Sequence, residues 1–222
     1  MAMKRSTLKF VSFIFISVGT FLAISAILPI VKYELLANSD VSQGNFITPL
    51  YSSAVLPPPD DPQLTRPSNW FRGNPNLPQV EYKVKYYKLS VPKLKIEDAV
   101  VEIAGEDLGK SLVHYKGTAI PGRPGNAIIF GHSTLPQLYN PKNYMTIFSY
   151  LPSLKKGDEI IVDYDGITYT FQVSEMIEVK PEDIQILEQR YDSSYLSLVT
   201  CVPPGTTLRR LVVRAKLVPF KG

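Results

Sequence analysis

The chain has 222 residues, of which 45% are hydrophobic and 20% charged, with a formal net charge of +4. This size suits one globular domain with accessory segments. The basic residues form no stripe of the kind that binds nucleic acid, and the single cysteine excludes an internal disulfide.

The first predicted element is a membrane-spanning helix over residues 10–31, which carry no charged side chain. A helix of that length rises about 33 Å, enough to cross a hydrocarbon core of about 30 Å. Lys4, Arg5 and Lys9 precede it, so the positive-inside rule predicts a cytoplasmic N-terminus at residues 1–9 and an extracytoplasmic remainder. A cleaved signal peptide is the alternative, but its apolar core would span only about 7 to 15 residues.

A proline-rich extracytoplasmic linker is predicted over residues 32–80, with Pro57-Pro58-Pro59 at its centre. Such a composition disfavours helices and central strands and makes a semi-rigid spacer. Trp70-Phe71 is an exception within it, because two adjacent large aromatic residues are poorly solvated. Docking on the outside of the domain is the preferred interpretation, and an N-terminal lid over an active groove is the alternative.

From residue 81 to residue 222 the pattern changes to short β-prone runs broken by Gly, Pro and Asp. Seven strands with only two short helical patches, at Leu108–Leu112 and Tyr144–Leu151, predict a mainly β domain, either a closed barrel or a sandwich. The predicted strands are 86–91, 99–103, 127–130, 159–164, 167–173, 196–200 and 208–218.

Two local signals within these strands are specific. Asp165-Gly166 joins two β-prone runs and predicts a tight hairpin. In the last strand, alternation puts Leu211 and Val213 on the core side and Arg210 on the opposite side. Arg209 shares the parity of the core residues and is therefore a weaker candidate for a ligand contact.

Cysteine chemistry is the best candidate function. Cys201 ends an apolar run, and nucleophilic catalysis by a thiol needs a proton carrier and a donor for the oxyanion. Arg210 supplies a permanent cation. The chain has two histidines, His114 and His132, and His132 is favoured because it follows a buried strand directly.

Several motifs in order resemble the sortase family, over about residues 85–218. Ser197 stands where the family usually has Thr, and Lys116 where many members have Pro. The motifs are GTAIPGRPGN (117–126), GHS (131–133), VKPEDIQIL (179–187), SLVTC (197–201) and RLVVR (210–214).

The resemblance implies a sortase-type β-barrel of roughly eight strands, preceded by the N-terminal transmembrane helix. It also implies a membrane-anchored cysteine transpeptidase, of the hydrolase class, that cleaves an LPxTG-like sorting signal of surface proteins or pilins. Cys201 would form a thioester, His132 would protonate the leaving amine, and Arg210 would hold the oxyanion. The acyl group would pass to an amine of a cell-wall precursor or a pilin.

The resemblance further implies which residues contact the sorting signal. Thr200 would position it, and an apolar groove would receive its Leu-Pro part. The groove residues would be Ala119, Ile184, Ile186, Leu187 and Val199.

No cofactor is expected. Some sortases use calcium, but the acidic residues Glu102, Glu106, Asp107 and Glu182 match no calcium-loop spacing of the EF-hand kind and predict no metal site.

Two other functions remain open at this point. One is a transpeptidase resembling the L,D-transpeptidases, which carry His-Gly just before the cysteine, whereas Val199-Thr200 precede it here. The other is a non-enzymatic, membrane-tethered β-domain that binds a cell-wall component and merely buries Cys201. Thiol reactivity of the folded chain distinguishes this last case, because a structural cysteine is inert.

Overall fold

The structure is a computed structural model that describes residues 5–42, 65–71 and 77–219. One long helix, α1 (Arg5–Ser42), precedes eight strands and several short 3₁₀ turns. The strands are β1 (Tyr86–Val91), β2 (Ile96–Ile103), β3 (Leu112–His114), β4 (Gly125–Phe130), β5 (Glu159–Tyr164), β6 (Ile167–Val179), β7 (Ser194–Val202) and β8 (Arg209–Leu217).

Helix α1 contains the predicted membrane span and continues beyond it. Its stretch Val11–Leu35 has 25 residues with a mean hydropathy of 2.4, so it is long and apolar enough to cross a membrane. The helix passes through Pro29 and ends at Ser42, inside the predicted linker. The parts of that linker at 43–64, including the triple proline, and at 72–76 lie outside the described residues.

The eight strands close into a barrel, and the expected mainly β fold is confirmed. Around the barrel the strands follow the order β1-β2-β3-β4-β7-β8-β6-β5, with β5 pairing back to β1. Two neighbouring pairs are parallel, β2 with β3 and β4 with β7, and the others are antiparallel. The β4–β7 pair matters most, because parallel strands bring their carboxyl ends to the same edge of the sheet.

The hairpin predicted at Asp165-Gly166 is confirmed. Tyr164 pairs with Ile167 across a two-residue connection that joins β5 to β6. Both connecting residues have positive φ, 51° at Asp165 and 76° at Gly166. A type I′ turn requires this conformation, which Asp-Gly adopts readily.

Other elements differ from their prediction. β2 begins at Ile96 rather than at residue 99, and β6 extends to Val179. The patch at Leu108–Leu112 is not helical: Leu108 lies in a crossover loop and Leu112 begins β3, a strand too short to show an alternating pattern. The patch at Tyr144–Leu151 forms consecutive turns that lead into a 3₁₀ turn at Leu151–Ser153.

Alternation divides the side chains of β4, β7 and β8 between two apolar layers. Ala127, Leu198 and Val213 point into the barrel and belong to its core. Their sequence neighbours point outward and are also buried, because the outer surface of these three strands is covered by other segments. This second layer, here called the outer cluster, contains Ile128, Phe130, Val199, Cys201 and Val212 from the strands, and Trp70, Phe71, Leu108 and Leu187 from the covering segments.

Candidate active site

Three of the predicted site residues meet at one end of the barrel. β4 and β7 run in parallel, with Phe130 beside Val199, so His132 leaves the end of β4 next to the end of β7. Cys201 lies there, and its direct partner across the β7–β8 pair is Arg210. The topology therefore brings together a thiol, an imidazole and a guanidinium that are far apart in the sequence.

Side-chain hydrogen bonds continue the β4–β7 pairing past its last residues. The Thr200 hydroxyl donates to the carbonyl of Gly131 at 2.8 Å, and the Ser133 hydroxyl donates to the carbonyl of Cys201 at 2.6 Å. The backbone N–H of Gly131 also donates to the carbonyl of Val199 at 3.1 Å. These bonds fix the backbone on both sides of His132 to the backbone that carries Cys201.

Cys201 is buried in the outer cluster and faces away from the barrel interior. The residue is 6% exposed. Burial raises the pKa of the thiol because a thiolate loses its hydration there, and the positive charge of Arg210 opposes this by a smaller amount. In this covered state the thiol is therefore held neutral.

His132 is less buried than Cys201, and it is also held neutral. Burial lowers the pKa of its imidazole, and the negative charge of Asp107 partly offsets that change. Its Nε2 atom is buried and has no hydrogen-bond partner among the described residues. This nitrogen is available to accept and donate a proton.

Arg210 carries a buried positive charge, since the residue is only 2% exposed. Its Nε donates to the carbonyl of Trp70 at 3.2 Å, and one terminal nitrogen donates to the carbonyls of Thr207 at 2.9 Å and Arg209 at 3.2 Å. Among the described residues no carboxylate forms an ion pair with it. Arg209 instead pairs with Glu178 at 2.9 Å on the other face of β8, as the strand alternation predicted.

Trp70 covers the site from outside. Its ring is fully buried and lies 5.2 Å from the ring of Phe130, 5.9 Å from the ring of His132 and 5.5 Å from the guanidinium carbon of Arg210. Phe71 packs on Phe130 beside it, with ring centroids 6.2 Å apart. The pair Trp70-Phe71 therefore docks on the outer face of the barrel, beside His132 and Arg210.

Hydrogen bonds also attach the segment Thr65–Phe71 to the barrel, in addition to the packing of its aromatic rings. The N–H of Leu108 donates to the carbonyl of Thr65 at 3.1 Å, and the Ser68 hydroxyl donates to the Glu106 carboxylate at 2.9 Å. Both partners belong to the crossover loop between β2 and β3. This loop and the segment therefore cover the outer face of the barrel together.

Most of the predicted groove residues lie in the outer cluster, and two do not. Ile184, Ile186, Leu187 and Val199 pack in or against this cluster. Thr200 is fully buried and its hydroxyl is engaged by Gly131 as described above. Ala119 lies at the opposite end of β4, where its N–H donates to the carbonyl of Asn126 and where it borders a separate cavity of about 830 Å³.

His114, the alternative histidine, is not brought to the site. It is fully buried on β3, with Nδ1 2.9 Å from the Tyr87 hydroxyl and Nε2 2.9 Å from the Thr118 hydroxyl. The Thr118 hydroxyl donates to the carbonyl of Tyr115, so it accepts from Nε2, and Nδ1 accepts from Tyr87. Burial lowers the pKa of His114 to about 4, and the residue is a neutral part of the core.

This buried histidine predicts a loss of stability in acid. The pKa of His114 is 6.5 in the unfolded chain and about 4 in the folded protein. Between these two pH values, only the unfolded chain binds a proton on this imidazole. The free energy of unfolding therefore keeps its full value above pH 6.5 and falls as the pH drops towards 4. The loss is about 2 to 3 kcal/mol at pH 4.5. Urea unfolding of the chain in detergent micelles at pH 7 and at pH 4.5 measures this loss of stability. His114→Gln should be less stable at pH 7 but lose less on acidification, and equal losses in both proteins would contradict the assignment.

Three of the acidic residues considered for calcium bind other side chains. Glu106 binds Ser68, Asp107 pairs with Lys110 at 3.0 Å, and Glu102 pairs with Lys85 at 3.2 Å. Within the described parts of the chain, no group of three or more His, Cys, Asp or Glu side chains could hold a metal ion.

Sequence reasoning missed the role of Ser133 and the part played by Leu108. Ser133 follows His132 directly, which was the only available signal for it. The sequence predicts a helical patch at Leu108, and an isolated leucine in a crossover loop has no periodic pattern that would reveal what it covers.

Comparison with known proteins identifies similar domains. The family model of the sortase domain matches residues 89–218. Sortase D of Bacillus subtilis is 26% identical over 136 residues, which cover 59% of this chain and 62% of that protein. The chain thus spans less than two thirds of the length of the first curated relatives it matches.

Solved structures share the barrel. Sortase C1 of Streptococcus agalactiae is 31% identical with a TM-score of 0.54, over 64% of this chain and 72% of that one. A lid mutant of sortase A from Corynebacterium diphtheriae is 27% identical with a TM-score of 0.54, over 65% of this chain and 75% of that one.

Proposed function

Because this chain belongs to the sortase family, we propose that it is a membrane-anchored cysteine transpeptidase that acts on an LPxTG-like sorting signal. The observation that carries the proposal is the pairing of Cys201 with Arg210 across β7 and β8, with His132 beside them. A buried structural cysteine would need neither a buried cation opposite it nor an imidazole with a free nitrogen.

The proposed reaction exchanges one amide bond for another through a thioester. Cys201 Sγ attacks the carbonyl carbon of the Thr-Gly bond, and its proton passes to His132. His132 then protonates the departing glycine amine as the C–N bond breaks. An incoming amine attacks the thioester carbon and loses a proton to His132. The C–S bond then breaks, and His132 gives that proton to the departing sulfur, which restores the thiol.

Arg210 would stabilise the negative charge that develops on the carbonyl oxygen in both steps. Its donors are preorganised and buried, and a buried donor is worth more than one in water. The outer cluster supplies apolar surface beside Cys201 that suits the Leu-Pro part of the signal. This surface comes from Val199, Ile184, Ile186 and Leu187. Contact of Thr200 or Ala119 with the signal stays a prediction.

We further propose that Thr65–Phe71 is a lid and that the described state is a closed, resting one. The support is that Trp70 and Phe71 fill the apolar groove and that the carbonyl of Trp70 occupies a donor of Arg210. The signal and this segment would then compete for one surface. Burial under the lid also keeps the thiol of Cys201 neutral, so opening would activate it.

The apolar helix and the basic residues before it support a proposed location. Val11–Leu35 would anchor the chain in the cell membrane, with the basic residues 4, 5 and 9 on the cytoplasmic side. The barrel would then lie outside the membrane. Its substrates would be surface proteins or pilins bearing the signal, with an amine acceptor such as a cell-wall precursor.

Capture of the acyl-enzyme tests the proposed function. The full chain in detergent micelles is incubated with a panel of sorting-signal peptides, and mass spectrometry follows Cys201. We expect an adduct with the mass of the peptide portion before the cleaved bond, because the thioester forms before any acceptor is needed.

Cys201→Ala is the control and should form no adduct. Neither adduct nor cleavage across a broad panel, in folded chain whose thiol reacts with an alkylating reagent, would refute the proposed function.

A further inference from the structure

Helix α1 has one backbone carbonyl that its own hydrogen bonds leave without a partner. Pro29 lies inside the helix and has no N–H, so the carbonyl four residues before it, that of Ser25, loses its usual helical donor. The side-chain Nε2 of Gln137 donates to this carbonyl at 2.7 Å. An unpaired carbonyl is costly in apolar surroundings, so the loop after β4 supplies the partner that the proline removes.

A second contact joins α1 to the barrel about two turns further along the helix. Tyr33 donates to the carboxylate of Glu178 and packs against the barrel core, and Glu34 pairs with Arg209. The partly buried residues of this part of the helix recur with the helical period, at positions 25, 26, 29, 30, 33 and 34. The helix therefore meets the barrel along one face.

The end of the barrel beside these contacts is the one that carries the active site, and it exposes apolar side chains. Leu138 and Met145 lie in the loop after β4 and border the same cavity as His132 and Cys201. Leu138 is 62% exposed and Met145 46% exposed, and Leu208 in the β7–β8 loop is 42% exposed. Two loops thus present apolar groups at one end of the barrel.

The same two loops carry almost no charge. Residues 133–146 contain one Lys and no Asp or Glu, and residues 203–208 contain no charged side chain. A bilayer surface that carries anionic lipid repels acidic groups, and it accepts loops of this composition. The hairpin at the far end of the barrel differs, because it carries Asp163 and Asp165 beside the exposed Ile167.

The position of Ser25 along the helix gives the depth of these loops. A hydrocarbon core of about 30 Å takes about 20 residues of helix, so a span that begins at Phe10 ends near Pro29. Ser25 then lies about 6 Å inside the outer edge of the core, where Gln137 reaches it. Apolar groups at a membrane interface are buried about 5 to 10 Å, so Leu138, the neighbour of Gln137, has the depth of such a group.

We propose that residues 133–146 and 203–208 form a membrane-docking surface, and that its partner is the outer surface of the bilayer that α1 crosses. This inference rests on the proposed membrane anchor and not on the proposed reaction. Gln137 holds this end of the barrel on the helix, and Leu138 and Leu208 enter the lipid. The active site would then open towards the bilayer.

Fluorescence quenching by spin-labelled lipid tests the membrane-docking surface. Leu138→Cys is labelled with the fluorophore NBD in the full Cys201→Ala chain, which has no other cysteine. The protein is reconstituted in nanodiscs of phosphatidylcholine and phosphatidylglycerol that contain a nitroxide at a shallow or a deep acyl position. Ile167→Cys is the matched control, because Ile167 is 47% exposed and begins β6, whose other end pairs with Arg210. Phe15→Cys, in the predicted span, reports the anchor itself.

We expect shallow nitroxide lipid to quench the label at position 138 about 3-fold more than the label at position 167, because only the former would reach the acyl chains. The emission at position 138 should also lie further to the blue. Leu208→Cys, on the other loop, should behave like Leu138→Cys, so the test does not depend on the folding of one variant. Circular dichroism of each labelled protein reports its fold.

The bond between Gln137 and Ser25 has its own test, with the label at position 208. Gln137→Met keeps the length of the side chain but removes the N–H, so it should lower the quenching about 2-fold as this end of the barrel leaves the helix. Pro29→Ala gives the Ser25 carbonyl a donor within the helix. In that background Gln137→Met should change the quenching less, which shows the coupling between the two positions.

Two results would overturn the membrane-docking surface. Equally weak quenching at positions 138, 208 and 167, with the label at position 15 quenched by deep nitroxide, would place the active-site end away from the bilayer. No quenching at position 15 would contradict the membrane anchor, and this inference with it. Since these proteins lack Cys201, neither result touches the proposed reaction, which capture of the acyl-enzyme tests separately.

Discussion

Replacing Arg210 by Gln should slow acyl-enzyme formation at Cys201 by about 100- to 1000-fold, the usual cost of removing one oxyanion donor. The guanidinium lies directly across from Cys201 and is bound only by carbonyl oxygens of Trp70, Thr207 and Arg209 among the described residues. Its charge is therefore not neutralised by a carboxylate. The charge of Arg210 would therefore be available to stabilise an oxyanion that forms at Cys201.

The substitution Arg210→Gln should also raise the pKa of the Cys201 thiol. Arg210 lowers the pKa of Cys201 against the larger effect of burial, so its removal raises that pKa further. The pH profile of alkylation by iodoacetamide should shift to higher pH in Arg210→Gln. Arg210→Lys should recover only part of the acylation rate, because an ammonium lacks the planar fork that binds two acceptors at once.

Arg209→Gln is the matched control for Arg210, since it removes the same kind of side chain from the adjacent position. Arg209 faces the other side of β8 and pairs with Glu178. We expect its acylation rate to stay within a few-fold of the unaltered chain. Acylation by Arg210→Gln at a rate close to that of Arg209→Gln would remove Arg210 from the proposed mechanism.

Local signals are enough to predict Cys201 as the candidate nucleophile and Arg210 as its candidate cation. The alternation along β8 separates Arg210 from Arg209 without any knowledge of the fold, because side chains in a strand point to opposite faces in turn. The hairpin at Asp165-Gly166 was equally local. The strand that carries Cys201 is mostly apolar and is buried along its whole length, as expected for a strand covered on both faces.

What covers the outer face could not be predicted in this way. β3 has only three residues and no alternating pattern, so the sequence does not reveal this strand. Its pairing with β2 and β4 is visible only in the structure. The position of Trp70 depends on a contact with Arg210, 140 residues further along the chain. The buried hydroxyl of Thr200 likewise depends on the register of β7 against β4, which the sequence does not state.

Opening the proposed lid should have the second large effect. Trp70→Ala removes a fully buried ring that contacts Phe130, His132 and Arg210. Loss of such a ring costs about 3 kcal/mol or more, and if that energy holds the lid closed, alkylation of Cys201 should accelerate about 100-fold. The pKa of Cys201 should fall as well, because the burial that raises it is relieved.

Trp70 also reports its own movement, because it is the only tryptophan of the chain. In Cys201→Ala, a bound signal peptide should displace the lid without reacting, and the tryptophan emission should shift to the red as the ring enters water.

Trp70→Phe serves as the matched control for alkylation. Its smaller ring retains part of the packing, so Cys201 in this variant should be alkylated at an intermediate rate. Equal alkylation rates in Trp70→Ala and the unaltered chain, with both folded, would mean that Cys201 is closed off by the barrel itself. The segment Thr65–Phe71 would then be a structural strap, and the competition with the sorting signal would not exist.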